Sequence, residues 1–381
     1  MLDSEEYFLI LQCIVDVWLL FQRIKSLKNS DFTESKLFFL TCKHEIYILD
    51  MKSYFKYFDV FKFASCLLIV TYHLQSSSTG DFVYWWRHVR DISLPMFVVF
   101  SSLLFWRRIR WDEHSSSQLK HYVKRLLSLM LGWSVVLLPF WLHNFMTRHP
   151  DNWAVYLVPK LLLYGGCRGG YFIMSLIYGT ALLYLLHRYL GKVVPFVLVF
   201  IVGTYFDLVH QDIITDFVGV RVNRGVLDTN FLCFRLLFYM EVCVWFIPWL
   251  AGKLSKLNSL LWIGVSLVVF VALCAVKSDL VAYVAILCFV IILGALLYNV
   301  RCTELPSWSV TLRNMSIVVY LLHFVVSEYG KLALRRFAGI DLAAYGPYVE
   351  YSVILAVTLP IAYLVAKPLA RRFPLVKRWL L

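Results

Sequence analysis

From residue 57 onward the sequence is dominated by ten nearly continuous apolar runs. They cover about 57–76, 92–106, 126–145, 170–187, 193–210, 231–251, 259–276, 280–298, 315–334 and 351–370. A helix crosses the hydrocarbon layer of a bilayer in about 20 residues. The second run is short and needs its flanks to do so. Most of the runs show no helix-period stripe dividing a polar from an apolar face, as suits helices surrounded by lipid. The fold class expected is therefore all-α, a polytopic transmembrane helix bundle of about ten spans. No internal repeat or low-complexity linker divides it, so residues 51–381 read as one transmembrane domain.

Composition excludes an ordinary soluble domain. The chain is 60% hydrophobic and 16% charged, where soluble domains carry roughly a quarter charged residues. The net charge of +13 would suggest nucleic acid in a soluble protein. Here the cations sit in short loops between apolar runs, so topology and anionic lipid headgroups account for them and no nucleic-acid partner is expected. A specific anionic ligand on those loops is the other reading. With residue 51 in the cytoplasm, the inner segments hold 20 Lys and Arg and the outer segments 11. That excess puts both ends of the domain inside. Nine cysteines without a CxxC pair, and no metal-ligand spacing elsewhere, give no metal site.

Residues 1–50 form a separate N-terminal extension. Asp3, Glu5 and Glu6 stand where a signal peptide would be basic. The run from Tyr7 to Phe21 is interrupted by Gln12 and Asp16. Two readings stand: the working protein begins near Met51, or the extension is an amphipathic surface helix.

Ionisable groups inside spans are costly and usually face a bundle interior or a wet cavity. The first run holds Asp59, Lys62 and His73. At 100° per residue, Lys62 lies about 60° and His73 about 40° from Asp59, on the same side. Asp59 and His73 are separated by roughly 21 Å of rise, so they do not pair. The three mark a polar stripe from the cytoplasmic entrance to the outer half. The plainer alternatives are an i,i+3 ion pair between Asp59 and Lys62 at a helix end, and a hydrogen-bonded core histidine for His73. Arg235 and Glu241 in the sixth run, and His323 and Glu328 in the ninth, are further candidates, each against the alternative of an interhelix hydrogen bond. His323 stands out because imidazole titrates near neutral pH. The loop 107–125 carries six basic residues against Asp112 and Glu113, and either reports topology or cradles phosphates. Trp106 and Trp111 fit an interfacial belt.

These residues resemble the first-helix signature of the acyltransferase-3 family of bacterial integral membrane O-acyltransferases. That signature is an Asp, a basic residue three later, an apolar run and a His: here Asp59, Lys62 and His73. Pro95 to Ser102 resembles the family's second helix, Tyr122 to Ser128 the basic opening of its third, and Tyr320-Leu-Leu-His323 its late Tyr-Leu-x-His. The resemblance covers about residues 51–375. It implies transfer of an acyl group, often acetyl, from acyl-CoA to a hydroxyl of a cell-envelope sugar, lipid-linked glycan or polysaccharide at the inner membrane. Acetyl-CoA or another acyl-CoA is then a co-substrate, with no permanently bound cofactor. Carried over, His73 is the essential histidine and Arg125 serves the CoA side. In this reading the catalytic group comprises His73, Asp59, Lys62 and Arg235, the last as an oxyanion donor. The binding group comprises Arg107, Arg108, Lys124, Arg125 and His323. The departures are Ser102 for a usual Gly, Ser128 for a second Arg and Gly132 for a common Pro. They bear on the CoA site more than on the fold. A transporter or flippase for a lipid-linked sugar is the alternative class.

Overall fold

In lipid, backbone polar groups find no water, so an apolar run of bilayer length folds as a helix that bonds its own N–H and C=O groups. The structure, a computed structural model, describes residues 54–71, 86, 88–109, 111, 115–148, 169–210, 232–276 and 278–381, with side chains at all of these except 144, 145, 207–210, 232–235 and 343. A short strand, β1 (Tyr54–Phe55), precedes α1 (Phe58–Val70). Then come α2 (Ser93–Trp106), α3 (Ser115–Val136), α4 (Leu138–Arg148), α5 (Gly170–Leu190) and α6 (Val193–His210). The second half holds α7 (Leu232–Glu241), α8 (Phe246–Lys253), α9 (Ser259–Cys274), α10 (Asp279–Asn299), β2 (Arg301–Cys302), α11 (Ser307–Val325), α12 (Pro347–Leu364) and α13 (Pro374–Leu380). Helix α11 continues to Ala338 and α12 to Arg372.

Among the described residues, five helices are long and apolar enough to cross a membrane: His88–Trp106 (which contains α2), α5, α10, and α11 and α12 with their continuations. α6 and α9 are apolar but shorter. The chain thus has the build of a multi-pass helical membrane protein. Helix α9 shows what surrounds it: Leu260, Leu261 and Val268 are exposed, and its buried residues are Phe270 and Cys274. In water such a face would be an aggregation surface; in lipid it is at home.

Two of the apolar runs are not single helices. The run 126–145 falls on α3, which begins at Ser115, and on α4. They meet at Leu137, where Pro139 has no N–H to offer the carbonyl of Val135 and crowds it. The run 231–251 divides into α7 and α8, separated by Val242–Trp245. There Pro248 has the same effect on the carbonyl of Val244.

Packing centres on α1, which lies against α2 and α11, and on α7, which lies against α2, α5 and α6. Helices α8 and α9 flank α10, and α12 covers α11. β1 and β2 pair antiparallel, Phe55 opposite Arg301, and so bring the start of α1 to the connection between α10 and α11. Helix α13 crosses α3 at Gly132. A Cβ there would sit 2.3 Å from the carbonyl oxygen of Trp379. The next residue, Trp133, donates its indole N–H to the carbonyl of Leu380 at 3.1 Å.

Gly132→Ala therefore forces α13 away from α3. Overpacking of this kind costs about 1–3 kcal/mol. The expected result is a lower melting temperature in detergent, while Gly264→Ala, where a Cβ meets open space, leaves it unchanged or higher. Equal melting of both variants would mean that the α3–α13 contact does not form.

Candidate functional site

Asp59 in the first turn of α1 is 1% exposed. A carboxylate so buried needs hydrogen-bonding partners, and α11 supplies them. Arg313 reaches it with a two-pronged grip, Nε to Oδ1 at 2.9 Å and Nη2 to Oδ2 at 2.8 Å. The hydroxyl of Ser309 donates to Oδ2. Seven residues further on, the thiol of Cys66 donates to the carbonyl of Ser316 at 3.3 Å. The equal advance on both helices means that α1 and α11 run parallel and begin at the same face of the bundle.

The alternative reading, an i,i+3 ion pair between Asp59 and Lys62, is not what forms. Arg313 takes both carboxylate oxygens because a planar guanidinium matches a carboxylate in a way an ammonium does not. Lys62 instead lies over the ring of Phe97, 4.9 Å from its centroid. The charges of Asp59, Arg313 and Arg125 all act on it. Arg313 and Arg108 in turn act on Arg125. Among the described residues at this face, then, Lys62, Arg125 and Arg313 share one carboxylate, and that carboxylate is already engaged. The surplus is positive.

The other basic residues lie around this cluster. Arg107, just past α2, stands 4.6 Å from the ring of Phe55, and Arg301 stands 5.4 Å from the same ring. Burial, then the like charge of Arg301, pulls the Arg107 guanidinium below its ordinary pKa. Arg108, Lys124 and Arg125 are exposed. Nη2 of Arg125 is 3.5 Å from the carbonyl oxygen of Leu381. These loop residues and the polar end of α1 thus belong to one face.

His323 does not join them. It sits ten residues beyond Arg313 on α11, about 15 Å along the axis. It is fully buried, and Nδ1 donates to the carbonyl of Val319 at 3.0 Å. Between it and Lys62 lie the rings of Phe97 and Tyr320, 5.5 Å apart. The Tyr320 hydroxyl donates to the carbonyl of Gly169 at 3.2 Å. His73 and residues 1–50 lie outside the described residues. Arg235 falls on α7, but its side chain is outside them too.

Comparison with family models, with curated proteins and with solved structures finds no match. The site is therefore argued from its own chemistry.

Two groups escape a reading of the sequence alone. Arg313 counts there as one more inner-loop cation, since nothing local pairs it with a residue 254 positions earlier. His187 lies at the edge of an apolar run and looks like a boundary residue. In the structure it is buried, with Nε2 2.8 Å from both oxygens of Glu241. A histidine at the end of an apolar run, 54 residues before its partner, has no positional signature. What was legible was Glu241 itself, a buried acid in need of a partner. Further along, Lys331 in the continuation of α11 pairs with the buried Glu350 of α12.

Removing Arg313 leaves Asp59 buried and unpaired, a change that typically costs about 3–5 kcal/mol. Arg313→Ala should sharply lower thermal stability in detergent. Adding Asp59→Asn to Arg313→Met, which removes both charges, should restore most of it. Additive losses in the double variant would show that the two side chains do not depend on each other.

Proposed function

We propose that the chain is a membrane O-acyltransferase that moves an acyl group, in the simplest case acetyl, from acyl-CoA to a hydroxyl of a cell-envelope sugar or polysaccharide. The observation that carries the reading is the net positive charge left when, among the described residues, Lys62 and Arg125 lie beside an Asp59 already paired with Arg313. Phosphates are the natural counterions of such a cluster. The nucleotide end of CoA carries several. Arg107, Arg108 and Lys124 extend the same face. In this proposal the chain sits in the inner membrane with ten crossings and both ends cytoplasmic, so the cluster faces the cytosolic pool of acyl-CoA.

Roles follow from position. His73, in the outer half of the first span, is the general base for the acceptor hydroxyl. Arg235 is the donor to the thioester oxyanion as it develops. Lys62 meets the donor. His323, set deep beyond Phe97 and Tyr320, contacts the acyl end rather than the phosphates. Asp59 has both oxygens occupied, so it is a positioning residue that holds Arg313. Acyl transfer breaks the C–S bond of the thioester and forms a C–O ester bond; the hydroxyl proton passes to His73 and is returned to the CoA thiolate through solvent.

The test is release of CoA thiol by purified protein given acetyl-CoA and an envelope sugar acceptor. Charge-assisted phosphate contacts contribute about 1.5–3 kcal/mol each. Arg125→Ala should accordingly raise the donor KM by roughly 10- to 150-fold with smaller change in kcat. His73→Gln should abolish turnover with donor binding intact. Near-normal turnover in His73→Gln would remove the base assignment, and an unchanged donor KM in Arg125→Ala would remove the phosphate cradle.

One observation favours a second class. The interruption between α7 and α8 adjoins the buried His187–Glu241 pair, and broken helices beside buried charges are a feature of transporters. Movement of a lipid-linked sugar across proteoliposomes without any acyl donor, and with no thiol release when one is added, would favour that reading.

A further inference from the structure

Beside the phosphate cluster, the loop after α2 carries Trp111 onto the end of α5. Its indole stacks on the ring of Tyr184 at 5.9 Å and 10°, and on Trp106 at 5.9 Å and 14°. His187 lies 5.6 Å away. Both partner rings are buried, Trp106 to 5% and Tyr184 to 3% exposure, while Trp111 keeps 48% of its surface open. The support is stiff. The Tyr184 hydroxyl lies 2.8 Å from the hydroxyl of Ser115 and accepts from Nη1 of Arg188 at 2.8 Å. The His187 ring is fixed through Nε2 by Glu241, which leaves Nδ1 for a partner outside that pair.

A lone tryptophan in an interfacial belt needs none of this. A half-exposed indole held by two buried rings, with a guanidinium bonded to one of those rings and an imidazole 5.6 Å away, has the parts of a base-stacking site. Flat heteroaromatic rings stack on such platforms whatever their sequence context, and a platform held rigid before binding loses little freedom when it binds. Arg188 at the rim and the exposed Arg108 nearby in the same loop suit phosphates on the same ligand.

We propose that Trp111 is the stacking platform for the purine base of a phosphorylated nucleotide, with Arg188 at its rim and Nδ1 of His187 at its edge. It rests on the acyltransferase reading for the nucleotide's identity: the adenosine 3′,5′-bisphosphate end of CoA. The His187–Glu241 pair then holds the platform and takes no part in proton transfer.

The probe is adenosine 3′,5′-bisphosphate, added to the full chain in detergent and followed by calorimetry and tryptophan fluorescence. Wild type should bind it. Trp111→Ala should weaken binding by about 10- to 100-fold, and Trp111→Phe should recover most of the loss. Pyrophosphate, which has no ring, should compete equally well against wild type and Trp111→Ala. Equal bisphosphate affinity in wild type and Trp111→Ala overturns the platform, as does a wild type that binds pyrophosphate but no nucleotide. The two readings fail separately. Thiol release with an unchanged donor KM in Trp111→Ala removes the platform and keeps the acyltransferase. Trp111-dependent nucleotide binding without thiol release keeps the platform and removes the acyltransferase.

Discussion

The grip of Arg313 on Asp59 decides how the centre of this bundle is assembled. Two apolar helices in lipid have little reason to prefer one register, because lipid tails are as apolar as the side chains they would replace. A buried carboxylate held by a guanidinium and by the Ser309 hydroxyl does have one. Such a pair adds little net stability against an apolar substitute, but mismatching it is costly. Its value is alignment. With α1 and α11 locked, Lys62 is carried to the ring of Phe97 and left without the carboxylate three residues before it.

The interruptions at Leu137 and at Val242–Trp245 place irregular backbone where an unbroken helix would be simplest. Such breaks are tolerated in membranes when neighbouring protein satisfies the freed groups. Around the second, the amide of Ile247 bonds the carbonyl of Val242 at 2.8 Å, five residues back where a regular helix would reach four. Buried Cys243 donates its thiol to the carbonyl of Tyr239 at 3.0 Å. Protein walls the break: the Cys243 thiol also reaches the carbonyl of Val99 on α2 at 3.5 Å, α8 lies against α10, and the break adjoins the buried acid at Glu241.

Much of the helix plan could be read from apolar runs. The fifth run and α6 share their bounds, and α5, α9 and α10 begin within a residue of expectation. A run that long in lipid has no competing fold. What failed was local or distant. Pro139 and Pro248 each cut a helix that hydrophobicity alone extends. Asp59 and Lys62 share a face, as the helical angle requires, yet a better-shaped cation from far along the chain displaced the nearer one. The basic loop and α1 did come to one face, because charge placement and run spacing together dictate it. His323 lies deeper, ten residues beyond Arg313 on the same helix.

The bonds that tie β1 and α1 into the bundle reach far forward. Tyr54 meets Cys302, Cys66 meets Ser316, and Leu67 meets Tyr351, separations of 248, 250 and 284 residues. A ribosome adding about 5–20 residues per second takes roughly 12–50 s to make such a stretch. For that interval Asp59 has no Arg313. An unpaired carboxylate is costly in hydrocarbon, so the polar end of α1 stays at the headgroups until its partner arrives. Insertion of α1 and its docking are thus distinct events in biogenesis, and the final register is set only after the chain has grown 254 residues beyond Asp59.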